Sequence, residues 1–125
     1  MTSSKEPSAT GHAVRRFKDP GYIEIASNLQ TLRDEIDALD LQIVSLLAAR
    51  SLRVRDATRF KKDAFQVAAP ARQAEVFKKV RNLAAEHAEN FPGFEDIVES
   101  AYRSLVAGFI AAEQTLFSQT EEVTS

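Results

Sequence analysis

Between Ser27 and Pro70 the chain contains neither glycine nor proline. Across that stretch the apolar residues recur at helical spacing: Leu32, Ile36, Leu39, Ile43, then Leu46 and Leu47. Alternating steps of four and three keep one face of an α-helix apolar. Ser27 and Asn28 are good helix-capping residues, so the spacing predicts one helix from there to about Lys62. Some 35 residues, at about 1.5 Å each, span about 50 Å, about three times the usual helix length. The rest of a 125-residue chain is too short to cover such a face. The helix therefore calls for a partner, and a second copy of the chain is the simplest one.

Continued past Leu47, the same stripe reaches Arg50, Val54, Ala57/Thr58 and Lys61. Two cations occupy positions where the pattern asks for core residues, and burying a charge is costly without a compensating partner. Eleven steps of about 100° return to within about 20° of the start, so on a continuous helix Arg50 and Lys61 leave the same face. The gap between two long inward-leaning side chains suits a small dianion. The competing explanation is pairing with carboxylates on a facing helix, or snorkelling to solvent. Arg33 lies one step past Leu32, roughly 25 Å from Arg50 and 42 Å from Lys61 along a straight helix. One small ligand cannot touch all three from one chain, so Arg33 shares the site only if it comes from another protomer. Otherwise it is a surface arginine with Asp37 four residues on.

The remaining punctuation divides the chain further. Residues 1–27 read as a flexible, polar N-terminal extension, with a turn at Asp19-Pro20-Gly21 and a solvated basic cluster, Arg15-Arg16-Phe17-Lys18. Asp63 to Ala69 breaks the period and reads as a loop. Pro70 suits the first turn of a second helix, whose apolar face is Val76, Phe77, Val80, Leu83 and Ala84 and which ends near Asn90. Phe91-Pro92-Gly93 is a turn. A third helix follows from Phe94 to Ser118. One of its faces carries Ile97, Ala101, Leu105, Gly108, Phe109, Ala112 and Leu116, and a neighbouring one carries Val106, Ile110, Gln114 and Phe117. Residues 119–125 form an acidic tail. With no internal repeat and no strand pattern, the expected fold is all-α: three helices, long-short-medium, over residues 28–118.

Composition narrows the function. Hydrophobic residues make up 44%, enough for a packed core, and the net charge of −2 leaves no basic excess for nucleic acid. The chain has no cysteine, which removes disulfide and thiolate chemistry and fits a cytoplasmic setting. No apolar run approaches a membrane span. His12 and His87 lack metal-ligand spacing, so neither metal nor cofactor is expected. Asp34, Glu35, Asp37 and Asp40 read as a solvated face. Arg72 sits in the first turn of the second helix, where a cation opposes the helix dipole, so it is better placed to bind an anion than to stabilise the helix; the competing explanation is a solvent-facing arginine. Gln114 interrupts an apolar line, and a buried amide needs a partner, from the core or from a ligand.

These residues resemble the all-α chorismate mutase family over about residues 29–118. The resemblance rests on Leu32-Arg33-Asp34-Glu35-Ile36-Asp37-Ala38-Leu39-Asp40, Leu46-Leu47-Ala48-Ala49-Arg50 and Arg59-Phe60-Lys61. It continues through Ala69-Pro70-Ala71-Arg72 and Ile110-Ala111-Ala112-Glu113-Gln114. It implies an intertwined homodimer with two equivalent sites, Arg33 of one protomer entering the site of the other. Arg50 and that Arg33 would bind the two carboxylates of chorismate. Lys61 would contact a carboxylate and the ether oxygen, Gln114 would donate to the same oxygen, and Arg72 would close the site. The chain departs from the family where acids often hold the C4 hydroxyl: Ala69 and Gln73 stand there, Gln73 being a neutral replacement. Ile110 replaces a small polar residue. The segment Arg59 to Arg72 is similar to the isochorismate pyruvate lyase branch, which forms salicylate and pyruvate. The expected activity is chorismate to prephenate, as in aromatic amino acid biosynthesis. The alternatives are the lyase, a mutase of 4-amino-4-deoxychorismate, or a non-catalytic dimeric helical module.

Overall fold

The computed structural model describes residues 6–123. The first five residues of the expected extension and the last two of the expected tail lie outside the described residues. Four α-helices follow in order: α1 (Leu29–Ala57), α2 (Ala64–Ala68), α3 (Pro70–Ala85) and α4 (Phe94–Phe117), with 3₁₀ turns at Thr58–Phe60 and Ala88–Asn90. Among the described residues there is no strand. The three long members are 29, 16 and 24 residues, the expected long-short-medium order. No helix is long and apolar enough to cross a membrane among the described residues. The chain divides into two compact units, Met1–Ala48 and Ala49–Ser125.

In the first unit Asn28 caps α1: its side-chain oxygen accepts the Thr31 N–H at 2.9 Å. The Gln30 amide N–H donates to the Ala9 carbonyl at 2.8 Å, tying the preceding segment to the first turn. Asp19-Pro20-Gly21 is a turn, as its sequence requires. The Asp19 carboxylate accepts from Gly21 N–H and its carbonyl from Tyr22 N–H, which brings the rings of Phe17 and Tyr22 to 4.5 Å between centroids. The acids Asp34, Glu35, Asp37 and Asp40 are exposed. So, however, is the apolar stripe: Ile36, Leu39, Ile43 and Leu46 are each more than half exposed.

The second unit holds the packed core, where α3 and α4 lie against each other and α2 against α4. Val67, Phe77, Ala84 and Val106 are its buried apolar residues among those described. On α4 the buried side is the one carrying Val106; Ile97, Ala101, Gly108 and Ala112 of the neighbouring expected face are exposed. Gly93 opens α4 in the left-handed region at φ 72°, a conformation glycine adopts without steric cost. Arg81 of α3 reaches Asp96 at 2.7 Å and Glu99 at 3.2 Å on α4, and Arg103 reaches Glu99 at 2.9 Å while its guanidinium stacks 4.4 Å from the centroid of Phe77.

Three boundaries differ from expectation. The first helix ends at Ala57, not Lys62, and tightens into the 3₁₀ turn Thr58–Phe60. Thr58 causes the change. Its single hydroxyl hydrogen is shared between the Val54 carbonyl and a Glu113 carboxylate oxygen, each 3.2 Å away, and a hydroxyl bonded back to the preceding turn bends a helix. The Lys61 N–H then closes onto the Thr58 carbonyl at 3.1 Å, leaving Lys61 extended at φ −104°, ψ 138°. The segment Asp63–Ala69 is not a loop: Ala64–Ala68 is one helical turn, capped by the Asp63 carboxylate, which accepts the Gln66 N–H at 2.9 Å. Helix α3 stops at Ala85 and a 3₁₀ turn carries the chain to Asn90.

Replacing Phe77 by alanine deletes a buried ring that packs both on α4 and under Arg103. It is expected to destabilise the protein by about 3 kcal/mol in urea unfolding. The Glu99 carboxyl is held below the usual carboxylate range, first by the Arg103 hydrogen bond, against the opposing effect of burial, and then by Arg81. Its contribution to stability is therefore complete above the ordinary carboxylate pKa and is lost as pH falls through the lowered value. Thermal melts across that acid range are expected to show a shallower decline for Glu99→Gln than for the wild type.

Candidate active site

The site forms where the end of α1, the α2–α3 corner and the middle of α4 converge within the second unit. A cavity of about 300 Å³ opens there. Its apolar walls include Val54, Val67, Val76, Val106, Phe109 and Ile110, and its polar residues are Arg50, Arg53, Lys61, Arg72, Gln73 and Glu113. Four cations thus face one carboxylate across a mainly aliphatic surface. An aliphatic wall with a few convergent polar groups is the usual make-up of a small-ligand site.

Arg50 is half-buried on α1. Its guanidinium carbon lies 5.9 Å from the centroid of Tyr102 and 5.8 Å from that of Phe109, so two ring faces support its charge. Among the described residues it has no carboxylate partner, and its planar fork remains available for bidentate binding. Lys61 reaches the same cavity from the extended residue after the 3₁₀ turn, not from the helix. Its Nζ is 3.5 Å from Glu113 Oε2, with the lysine side chain 23% and the glutamate side chain 5% exposed. The spacing of Arg50 and Lys61 does bring both to one site, although not through a continuous helix.

The corner between α2 and α3 supplies the opposite rim. Ala69 takes left-handed backbone angles, φ 46° and ψ 59°, closing α2 through its N–H to Phe65 O and opening α3 through its carbonyl to Gln73 N–H. Alanine pays a steric penalty of about 1 kcal/mol there, offset by the two bonds. The Gln73 amide donates to the Ala68 carbonyl at 2.6 Å, satisfying an acceptor that α2 leaves free at its end. With its nitrogen so engaged, Gln73 keeps its own oxygen as an acceptor. Arg72 lies on the cavity lining and forms an exposed ion pair with Glu75, one turn along α3.

Gln114 is half-buried, but its amide donates to the Ala64 carbonyl at 3.0 Å and it is not among the cavity-lining residues. Glu113 stands on the lining instead. Arg33 belongs to the first unit, on the N-terminal part of α1, where it is exposed and makes no ion pair with Asp37 among the described residues. Two lining residues escaped the sequence reading. Arg53 is one turn beyond Arg50 and donates to the Ala49 carbonyl at 3.0 Å. Glu113 follows Val106 by seven residues and Ile110 by three, which places it on the buried face. That spacing was the signal for it. Among the described residues no group of three or more His, Cys, Asp or Glu side chains is arranged to hold a metal ion.

A cavity with cations set in aliphatic walls can bind a small polyanion and stabilise negative charge as it shifts within that ligand. It contains no paired nucleophile and base. The family model for chorismate mutase type II matches residues 32–114. No curated protein matches the chain. The matched segment covers more than half of the sequence, including Arg33, Arg50, Lys61, Arg72 and Gln114. The all-helical fold, the cationic cavity and the family match agree, and the chain belongs to the chorismate mutase type II family.

Proposed function

We propose that this protein is a chorismate mutase that rearranges chorismate to prephenate, working as an intertwined homodimer. The observation that carries the proposal is the cavity of about 300 Å³ in which Arg50, Arg53, Lys61 and Arg72 face a single carboxylate. Chorismate is a cyclic dicarboxylate with an ether bond, and its rearrangement is pericyclic. It needs no nucleophile, proton transfer or cofactor. The protein must hold a chair-like conformer and stabilise charge on the ether oxygen as the C–O bond breaks, which is orientation and preorganised electrostatics. An acceleration of about 10⁶ needs about 8 kcal/mol, within reach of a few charge-assisted donors in a largely apolar pocket.

In this scheme Arg50 binds one carboxylate as a fork, and Arg33 of the partner protomer binds the other. Lys61 meets a carboxylate and the ether oxygen. Gln114 donates to the ether oxygen with the N–H that its bond to Ala64 leaves over. Arg72 exchanges Glu75 for substrate and closes the rim. Gln73 accepts from the C4 hydroxyl, and Ile110 packs against the ring. The dimer is supported by the exposed stripe of α1, Ile36, Leu39, Ile43 and Leu46, since a contiguous apolar face of that extent marks an association surface.

A second reading, isochorismate pyruvate lyase, is favoured by the rim itself. Ala69, Gln73 and Ile110 place no acid on the cavity lining near α3, so the grip on a C4 hydroxyl is weaker than an acidic residue provides. Purified protein given chorismate, isochorismate and 4-amino-4-deoxychorismate in parallel separates the possibilities. Prephenate from chorismate is the expected product. Salicylate and pyruvate from isochorismate without prephenate from chorismate assign the lyase, and turnover of the amino compound alone assigns the third activity. No turnover of any of them leaves a binding module.

Lys61→Ala is expected to lower kcat/KM by at least about a hundredfold, the scale for removing one donor to a developing charge. Composite sites have their own signature. Arg33→Ala and Arg50→Ala proteins are each expected to be nearly inactive. Mixed in equal amounts and allowed to exchange subunits, they are expected to recover roughly a quarter of wild-type activity, because each mixed dimer regains one intact site. No recovery after demonstrated exchange would place Arg33 outside the site.

A further inference from the structure

We infer that Glu113 is a positioning residue for Lys61: clamped by the Thr58 hydroxyl, its carboxylate holds the Lys61 ammonium in the cavity and aims it at the ligand. The inference rests on the function proposed above and adds a residue which that scheme leaves unused.

Glu113 is the one carboxylate on the cavity wall, and in a site that binds a dianion a carboxylate is at first sight a liability. Its surroundings account for it. The side chain is 5% exposed, its Oε2 lies 3.5 Å from Lys61 Nζ and 3.2 Å from the Thr58 hydroxyl. Among the described residues no buried side-chain polar atom lacks a hydrogen-bond partner. A carboxylate so far from water keeps its place only when it is paired.

Lys61 needs such an anchor more than its neighbours do. Arg50 projects from a helix and rests on two aromatic rings. Lys61 projects from an extended residue beyond the end of α1, on a stem with four rotatable bonds. An ammonium group has three N–H donors. The ion pair with Glu113 at 3.5 Å restrains the nitrogen and leaves its donors for a ligand. Thr58 holds the far side of the arrangement, because the same carboxylate oxygen accepts from its hydroxyl. The charged groups facing Glu113 around the cavity are Lys61 from the segment after the 3₁₀ turn, Arg50 and Arg53 from α1, and Arg72 from α3; α2 contributes only apolar lining. One negative charge among these cations leaves the cavity electropositive. The carboxylate therefore orders Lys61 without cancelling the attraction for a dianion.

The test is a double-mutant cycle on chorismate turnover with Glu113→Gln, Lys61→Ala and the double variant. Glu113→Gln is expected to lower kcat by at least about tenfold while KM stays within about threefold, since the lost order matters most where charge develops. The double variant is expected to be within about twofold of Lys61→Ala alone, because the carboxylate acts through the lysine. Wild-type kcat in Glu113→Gln overturns the inference, and so do losses that multiply in the double variant. A third outcome also overturns it: wild-type activity that rises with acidity through the carboxylate range and loses this dependence in Glu113→Gln, which makes Glu113 a proton-bearing donor to the substrate. Should circular dichroism show Glu113→Gln unfolded, Thr58→Val keeps the carboxylate and removes its clamp. It is expected to lower kcat at unchanged KM, and an unchanged kcat overturns the inference. A wild type inert toward chorismate and isochorismate removes both the proposed function and this role. An active wild type with a fully active Glu113→Gln variant removes the role alone.

Discussion

The bond between Thr58 and Glu113 joins residues 55 positions apart, and much of the second unit is organised around it. It fixes where α1 stops, because the hydroxyl that reaches Glu113 also lies against the Val54 carbonyl and draws the last turn into 3₁₀ geometry. It anchors that turn to the middle of α4. By ending the helix at Ala57 it frees Lys61 to adopt an extended backbone and enter the cavity from the side. A buried polar contact of this kind adds little net stability if both partners are replaced together. Its value lies in specificity: with one partner missing, the other is left unpaired in an apolar surrounding.

The architecture was legible wherever one periodic pattern acted alone. The long first helix, the proline start of α3, the Phe91-Pro92-Gly93 turn and the extent of α4 follow from spacing and from local turn chemistry. The ends of elements were less legible, because tertiary contacts decide them. Thr58 looks like any weak helix residue until Glu113 is known to face it, and Asp63-Ala64-Phe65-Gln66 has a capping acid but too short an apolar run to announce a single turn. Which face of α4 packs is left open for a similar reason. Its apolar residues wrap around most of the helix, so periodicity alone cannot say which side meets α3. In the candidate site, Arg50, Lys61, Arg72, Gln73 and Ile110 were expected from seam position, helix-end electrostatics and family resemblance, and all five line the cavity. Glu113 was passed over because an acid next to a glutamine drew attention to the amide, and Gln114 turns instead to the Ala64 carbonyl.

Charge is distributed differently in the two halves of the second unit. Between α3 and α4 the arginines are matched: Arg81 and Arg103 meet Asp96 and Glu99 at the surface. Around the cavity the matching is incomplete, with Arg50 resting on aromatic faces and no acid. Surface pairs of the first kind contribute little individually to stability. A guanidinium of the second kind keeps its planar fork of donors free of a carboxylate among the described residues. The contrast separates cations matched by acids within the fold from one supported by aromatic rings.

Ala69 bears on how this cavity can change over time. A residue in the left-handed region at the rim is constrained by the backbone before any ligand is considered. Glycine fits there freely, and aspartate and asparagine tolerate it, whereas branched or bulky side chains do not. The rim position therefore acquires a hydrogen-bonding group most readily as a short acid or its amide, and β-branched enlargement is disfavoured there. Drift at this corner is steered toward recognising a ring substituent by hydrogen bonding rather than by shape, so a change of substrate preference in this fold has a narrow set of steps available to it.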